Sequence, residues 1–362
     1  MVAEEIAQQV FAQCGESGAA SEIARYVAIP GNEPVRWLLP ANGEAIESVL
    51  GSWTPYRTRS RMAWAVVRAA SRMGELGELP GAAMIETECA HGVDWRALGW
   101  RWDGTPIAAI YVGTPGPRRK AVVHLVEGTT GRCRAVVKVP LNDGARNASL
   151  HEAAVLAELE EERRESVPRL LYVDRARGVV TQTFVDGRPG SRKWDAEHSR
   201  ALRSLLLSGE TTSLRAHAER WQLEGIGLRL PESVEIAMEE IAADKPVPAC
   251  WQHGDFAPWN IRRMADGRLA LLDWEEARRG GLPLCDAFHF LHVQDFLFGR
   301  RPQLHTGDVC EAAHSIRISA GAAGKLEMAY LVGAYVTCIR RGNEERARFI
   351  EKTMARFRRR AA

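Results

Sequence analysis

Two acids and an amide stand at spacings suited to chemistry on phosphate. They lie in His253-Gly254-Asp255-Phe256-Ala257-Pro258-Trp259-Asn260 and in Leu272-Asp273-Trp274-Glu275. Asp255 would accept the proton of an attacking hydroxyl. Asn260, five residues on, and Asp273, eighteen on, would hold a magnesium ion that offsets the charge of nucleotide phosphates. Phosphoryl transfer asks little covalent work of a protein and much positioning, so oxygen ligands must converge on one metal–phosphate cluster. A His-Gly-Asp tripeptide alone says little, because all three are common loop residues. The four positions together say far more. His253 is the least chemical of them, and bracing the loop by hydrogen bonding is the role expected of it.

Those residues need elements to hold them. From Pro106 the pattern is β: Ile107–Val112, Lys120–Glu127 and Cys133–Pro140 are β-rich runs separated by turns bearing Gly or Pro. A helix is predicted from Ser149 through Glu162, with Ser149 as N-cap and Glu152 three residues later. Leu170–Val173 and Val179–Val185 add two strands. The order is five strands with one helix after the third. Beyond Gly187-Arg188-Pro189-Gly190 the chain reads as helical at about 195–207, 213–224, 232–243, 284–297, 308–319, 325–340 and 344–359. The exception is the chemical stretch itself, where Asn260–Arg263 and Arg268–Leu272 flank an Asp266-Gly267 turn and read as a hairpin.

His-Gly-Asp, four residues, Asn, and then an Asp on the next strand resembles the aminoglycoside phosphotransferase and choline kinase superfamily. The variant Asp-Phe-Ala-Pro-Trp-Asn with Asp-Trp-Glu is similar to a branch found beside bacterial polysaccharide genes. The His-Arg-Asp, Asp-Phe-Gly and Ala-Pro-Glu of protein kinases are not in the sequence. The resemblance implies an α+β, bilobal protein-kinase-like fold with a five-stranded antiparallel N-lobe and a mainly helical C-lobe. It also implies ATP, or another nucleoside triphosphate, and Mg as cofactors, with a small-molecule hydroxyl as acceptor. Residues 101–186 would be the N-lobe and 187–362 the C-lobe with the catalytic loop.

On that resemblance Lys138, in Ala135-Val136-Val137-Lys138-Val139, takes the place of the third-strand lysine that bridges the α- and β-phosphates. A lysine amid valines is in any case an anomaly for a buried strand face, although edge-strand lysines are often merely solvated. Glu152 is the acid expected to position it, from the first turns of the following helix. The phosphate-covering turn would be Gly113-Thr114-Pro115-Gly116-Pro117-Arg118-Arg119-Lys120. It lacks G-x-G-x-x-G, but Gly113 and Gly116 allow close backbone approach and the basic residues supply charge. An ordinary hairpin with a charged tip reads equally well. Gln182-Thr183-Phe184-Val185 would be the lobe-connecting strand, with backbone groups at Gln182 and Phe184 meeting an adenine edge. Asp286 matches a structural Asp that steadies the catalytic loop, and Glu275 is a candidate for supporting contacts. Trp251, Trp259 and Trp274 could form an aromatic wall, or simply pack the loop. Asp295, His289 and His292, on the next predicted helix, are expected to face the acceptor. They make no dense acidic run, so a polycationic antibiotic is not favoured as acceptor.

The bulk properties exclude other classes. The chain has 362 residues, 46% hydrophobic, with 48 basic against 46 acidic side chains. No global field points to nucleic acid or a membrane surface. Arg356, Arg358, Arg359 and Arg360 crowd the C-terminus, as suits a solvated helix end. Seven cysteines without C-x-x-C argue for reduced thiols and a cytoplasmic setting. Glu4 and Glu5 do not fit a secretory signal, and Leu326–Ile339 is too short for a membrane span. Residues 1–100 carry no chemical motif. Helices near Glu4–Gln13 and Arg59–Met73 and a strand near Val35–Pro40 are predicted there. The segment is read as an extension that packs on the N-lobe or serves as the surface for a protein partner or homodimer.

Two further readings stay beside the kinase one. A non-catalytic nucleotide- or protein-binding module would be expected to have lost one of Lys138, Asp255, Asn260 and Asp273. A metal-dependent hydrolase on His253, Asp255 and Asp273 would need more His or acid ligands nearby.

Overall fold

A computed structural model describes residues 2–361 except 16–22, 42–45, 56–57, 88–92, 165, 226, 229 and 243–245. Cys89 and the side chains of Arg358, Arg359 and Arg360 fall outside the described set. The chain divides into two units, Met1–Pro189 and Gly190–Ala362.

The first unit is built on one antiparallel sheet. Its strands are β1 (Ala24–Ile29), β2 (Trp37–Pro40), β3 (Ala83–Thr87), β4 (Ile107–Val112), β5 (Lys120–Glu127), β6 (Arg132–Pro140), β7 (Leu170–Asp174) and β8 (Val179–Thr183). They lie in the order β3-β1-β2-β4-β5-β6-β8-β7. The five strands expected from the sequence are β4 to β8, with helix α4 (Asp143–Glu161) after the third. Three more strands extend the sheet at its β4 edge, through the pairs Trp37↔Tyr111 and Leu38↔Ile110. The first 87 residues therefore contribute strands to this sheet as well as helices α1 (Ala3–Cys14), α2 (Glu47–Ser52) and α3 (Thr58–Met73).

Alternation along the strands divides their side chains between two cores. Ala108, Ile110 and Val112 join Ala135, Val137 and Val139 in a cluster with Ile6, Val10 and Phe11 of α1. Ile6 and Phe11 are wholly buried, worth about 1.5–3 kcal/mol each by transfer from water. Ala109 instead joins Trp37, Leu39, Leu50 and Trp64 in the second cluster. Helix α4 starts earlier than predicted. Its N-cap is Asn142, whose side chain accepts from Ala145 N, and Ser149 is a buried residue within the helix. Gly144 in the first turn disguises the start in the sequence. A side chain there would collide with the Pro117 carbonyl, 2.0 Å from its Cβ position.

The second unit is mainly helical: α5 (Ala196–Ser204), α6 (Leu214–Glu224), α7 (Glu232–Ala242), α8 (Cys285–Leu297), α9 (Cys310–Ser315), α10 (Ala320–Arg340) and α11 (Glu344–Ala361). The predicted hairpin is present, pairing Ile261–Arg263 with Leu269–Leu271. A further antiparallel sheet of Leu206–Thr212, Val247–Gln252 and Arg278–Gly281 has no clear signal in the sequence. Pro248, Gly209 and the Arg-Arg-Gly-Gly run all speak against strand. Among the described residues no helix is long and apolar enough to cross a membrane.

Candidate active site

In the second unit Asp255 follows the strand Val247–Gln252 in a loop that the protein fastens at both ends. Asp286, in the first turn of α8, accepts from the backbone N–H groups of His253 (2.7 Å) and Gly254 (2.9 Å). That carboxylate steadies the loop, as expected of it. Gly254 has φ of +82°, and a Cβ there would lie 2.5 Å from the Glu276 carbonyl oxygen. Only glycine fits both the conformation and the contact.

His253 is fully buried. Its Nε2 lies 2.9 Å from the Leu272 carbonyl, and its Nδ1 accepts from Asp255 N at 3.3 Å. These partners require an Nε2–H, Nδ1-acceptor ring, which makes His253 a brace between the Asp255 loop and the strand before Asp273. The Leu272 N–H in turn donates to the Asn260 carbonyl at 2.8 Å. One residue, Leu272, thus ties down both segments. Asp273 comes next in the left-handed region, with φ of 67°, a strained conformation for a residue other than glycine.

Asp255 is half-buried, its side chain 35% exposed. Asn260 Nδ2 donates to its Oδ2 at 2.8 Å and to its carbonyl at 3.0 Å. His289 Nε2, from α8, lies 3.0 Å from Oδ1. Burial pushes the Asp255 carboxyl up, but the hydrogen bond from His289 opposes it and the carboxyl is held below the usual carboxylate value. The Asp273 carboxylate acts in the opposite sense, so the two acids feel one another. Such a pair, with an amide whose carbonyl oxygen both Nδ2 bonds leave available, is an all-oxygen donor set of the kind a hard divalent cation takes. Among the described residues no group of three or more His, Cys, Asp and Glu is arranged to hold a metal, so any cation here depends on the amide and on further oxygens.

In the first unit Lys138 lies on β6, on the opposite face from Val137 and Val139, and is buried. Its Nζ is 2.6 Å from both carboxylate oxygens of Glu152, which is itself fully buried on α4. Because α4 begins at Asp143, Glu152 stands mid-helix and not in the first turns. The Gly113–Lys120 loop is closed by Gly113 N donating to Lys120 O at 2.8 Å, and Asn142 Nδ2 donates to Gly116 O at 3.0 Å. The loop is thereby pinned to the start of α4. Gln182 lies in β8, an inner strand with β6 and β7 on either side. The Phe184 N–H donates to Arg134 O and that of Thr183 to Arg169 O, both at 2.9 Å. The nucleotide contact expected of Phe184 therefore cannot use its N–H, which the sheet has already taken.

Residues 192–308 match the model of the phosphotransferase enzyme family. That match extends over less than half of the chain. No curated protein sequence matches the chain. Among solved structures, an apo thermostable mutant of aminoglycoside phosphotransferase APH(4)-Ia is 13% identical, with TM-score 0.50, covering 70% of this chain and 94% of its own. Choline kinase LicA from Streptococcus pneumoniae is 16% identical, with TM-score 0.48, over 67% and 91%. Macrolide 2'-phosphotransferase MphH from Brachybacterium faecium is 16% identical, with TM-score 0.46, over 67% and 91%. At 13% identity the likeness to APH(4)-Ia speaks to fold alone, and that fold is the bilobal kinase-like one.

Within the second unit several expectations change. Asp295 and His292 do not face an acceptor. Asp295 is fully buried against His305 (2.8 Å), and His292 lies 2.9 Å from Glu327 Oε1 on α10. Trp251 and Trp274 are core residues, with Trp274 Nε1 donating to Leu271 O at 3.0 Å, so neither offers a face to a ligand. Trp259 is only partly buried. His289, expected on the acceptor side, has its ring against Asp255 itself. Tyr330 on α10 and Arg346 on α11 stand behind it and carry no motif that could have revealed them.

Proposed function

We propose that the protein is a small-molecule kinase that moves the γ-phosphate of ATP, or another nucleoside triphosphate, to a hydroxyl. The observation that carries this reading is Asp255 itself. It is an accessible carboxylate held ionised, hydrogen-bonded to Asn260 and electrostatically linked to Asp273, inside a phosphotransferase-family segment. Asp255 takes the proton of the acceptor hydroxyl as its oxygen bonds to the γ-phosphorus and the bond to the β-bridging oxygen breaks, releasing the diphosphate. Such assistance is modest when the transition state is loose, so orientation of the hydroxyl is the larger part of the role. Asn260 and Asp273 are the residues that would hold Mg²⁺, which when bound supplies positive charge to the phosphate oxygens. Lys138, held by Glu152, binds the nucleotide phosphates, and the Gly113–Lys120 loop offers its backbone to them.

The only acids of helix α8, which bears His289, are Asp286 and Asp295, both buried, so this helix offers no acidic patch to a polycation. A neutral or anionic polyol, such as a sugar or sugar-linked metabolite, is therefore the acceptor class we favour. The test is transfer of ³²P from γ-labelled ATP with Mg²⁺ across a panel of sugars, sugar phosphates, choline and aminoglycosides, with Asp255→Ala as control. Labelled sugar product from the wild-type protein only is the expected result. Nucleotide binding without transfer to any acceptor would favour a non-catalytic module. Labelled aminoglycoside as the sole product would overturn the acceptor class.

A further inference from the structure

Two side-chain donors reach the Asp255 carboxylate, and one of them lies outside the His-Gly-Asp–Asn signature. Asn260 Nδ2 donates to Oδ2 at 2.8 Å, and His289 Nε2 meets Oδ1 at 3.0 Å. A carboxylate only accepts, so the hydrogen sits on Nε2, and a neutral ring then presents Nδ1 as acceptor. The Tyr330 hydroxyl oxygen lies 3.5 Å from that Nδ1, and Arg346 Nη2 lies 3.5 Å from the same oxygen. A guanidinium only donates, so the oxygen of Tyr330 accepts from Arg346 and its own O–H is left to point at His289. Both outer bonds are long, but their polarity runs one way along the series, from Arg346 to Asp255. Packing restricts the same groups. His289 and Tyr330 are both buried. The Tyr330 ring stands edge-on to His289 (6.0 Å, 90°) and stacks on His292 (5.5 Å, 17°).

The geometry points to His289 as a positioning residue that fixes the rotamer of the proposed base, its own ring oriented by Tyr330 and Arg346. One N–H at each oxygen sets the plane of the Asp255 carboxylate, so that the remaining lone pairs meet the acceptor hydroxyl in one direction. Misplacement of a reacting group by about 1 Å can cost on the order of 100-fold in rate. The inference rests on the kinase reading for its catalytic consequence, and on the hydrogen-bond geometry alone for the arrangement.

The experiment compares the full-length wild type with His289→Leu, which removes the donor, and His289→Gln, which restores an N–H in the ε position. Transfer from γ-labelled ATP should fall about 10- to 100-fold in kcat for H289L, with KM for ATP within about twofold. H289Q should recover most of the loss. An H289L enzyme with wild-type kcat, or a glutamine variant no better than leucine, would overturn the assignment. A second readout does not depend on turnover. In ¹⁵N-histidine-labelled protein, the resonance lost in H289Q should report an Nε2–H tautomer that shifts in Asp255→Ala and becomes mixed in Tyr330→Phe. If wild-type protein transfers no phosphate, the kinase reading falls and this spectrum still decides: an Nδ1–H ring, or one indifferent to Asp255→Ala, refutes the arrangement.

Discussion

Lys138 with Glu152 and Asp255 with His289 are both acid–base couples, built to opposite specifications. In the first, both oxygens of a fully buried carboxylate meet one ammonium at 2.6 Å. In the second, the carboxylate is about one-third exposed and its two oxygens go to two different donors. The sealed couple puts both oxygens of the acid on one ammonium and holds the lysine in place. The open couple fixes direction and leaves lone pairs over. An acid whose work is to hold a charge can be closed off, whereas an acid that must meet a substrate has to keep a face to solvent.

Removing the open acid should have the largest effect. Asp255→Ala is expected to lower phosphate transfer by about 10²–10⁴-fold, the usual scale for a positioned base. Its cost in folding stability should be about 1–3 kcal/mol, because Asn260 and His289 are buried donors left without their acceptor. Initial rates with labelled ATP and a urea melt on the same sample check both halves of that statement.

Breaking the sealed couple should weigh more on stability. Glu152→Gln takes the Glu152 charge away from a buried ammonium, and stability should drop by about 3–5 kcal/mol. The paired change Lys138→Met with Glu152→Leu removes both charges and is expected to recover most of that loss. It should leave activity abolished. Denaturant midpoints of the single and double variants test the difference. A double variant with wild-type turnover would take Lys138 out of the reaction.

Legibility in the sequence follows the same division. The Asp255, Asn260 and Asp273 set was readable because a short loop and a hairpin bring it together at near-fixed spacing. Lys138 stood out as a charge among valines. The sequence reads His289 as facing the acceptor and gives no sign that its ring meets Asp255, because that contact depends on how α8 packs against the loop. Tyr330 and Arg346 are 41 and 57 positions beyond His289, and tertiary packing alone unites them. β1 and β3 escaped for a related reason. β1 lies between two strands and lacks the strict alternation of a half-buried one. Gly144, which reads as a turn residue when its contact with Pro117 is unknown, hides the Asn142 cap and leaves Ser149 as the apparent helix start.

A third couple in the second unit tests how far sealing extends beyond Lys138 and Glu152. Glu327 is fully buried and accepts from His292 (2.9 Å), the backbone of His305 (2.6 Å) and the hydroxyl of Thr306. Burial raises its pKa, but the bond and charge of His292, with Thr306 and the His305 N–H, carry it below its ordinary value of 4.5. Its stabilisation is therefore present above about pH 4.5 and lost as pH falls through the lower folded value. Burial disfavours the charged form of His305, yet Asp295 and Asp308 raise its pKa above 6.5. That contribution is present below pH 6.5 and fades as pH climbs through the folded value. Glu327→Gln should cost about 3 kcal/mol at neutral pH and flatten the acid side of a plot of stability against pH. The alkaline side should weaken only slightly, because Asp295 and Asp308 are the larger causes of the raised His305 and the Glu327 charge a smaller one.

The smallest expected effect concerns the loop beside the sealed couple. Asn142 caps α4 through Ala145 N at 2.9 Å and holds Gly116 O at 3.0 Å. Asn142→Ala should cost about 1 kcal/mol as a lost cap. If the Gly113–Lys120 loop covers phosphate, the same change should also raise KM for ATP several-fold and leave kcat nearly alone, since Asp255 and its donors are untouched. Asn142→Ser keeps a capping oxygen but cannot reach Gly116 with an N–H, so it separates the two roles. Serine should restore the thermal midpoint without restoring KM. Recovery of both together would mean that the loop needs only the helix start and not its own tether.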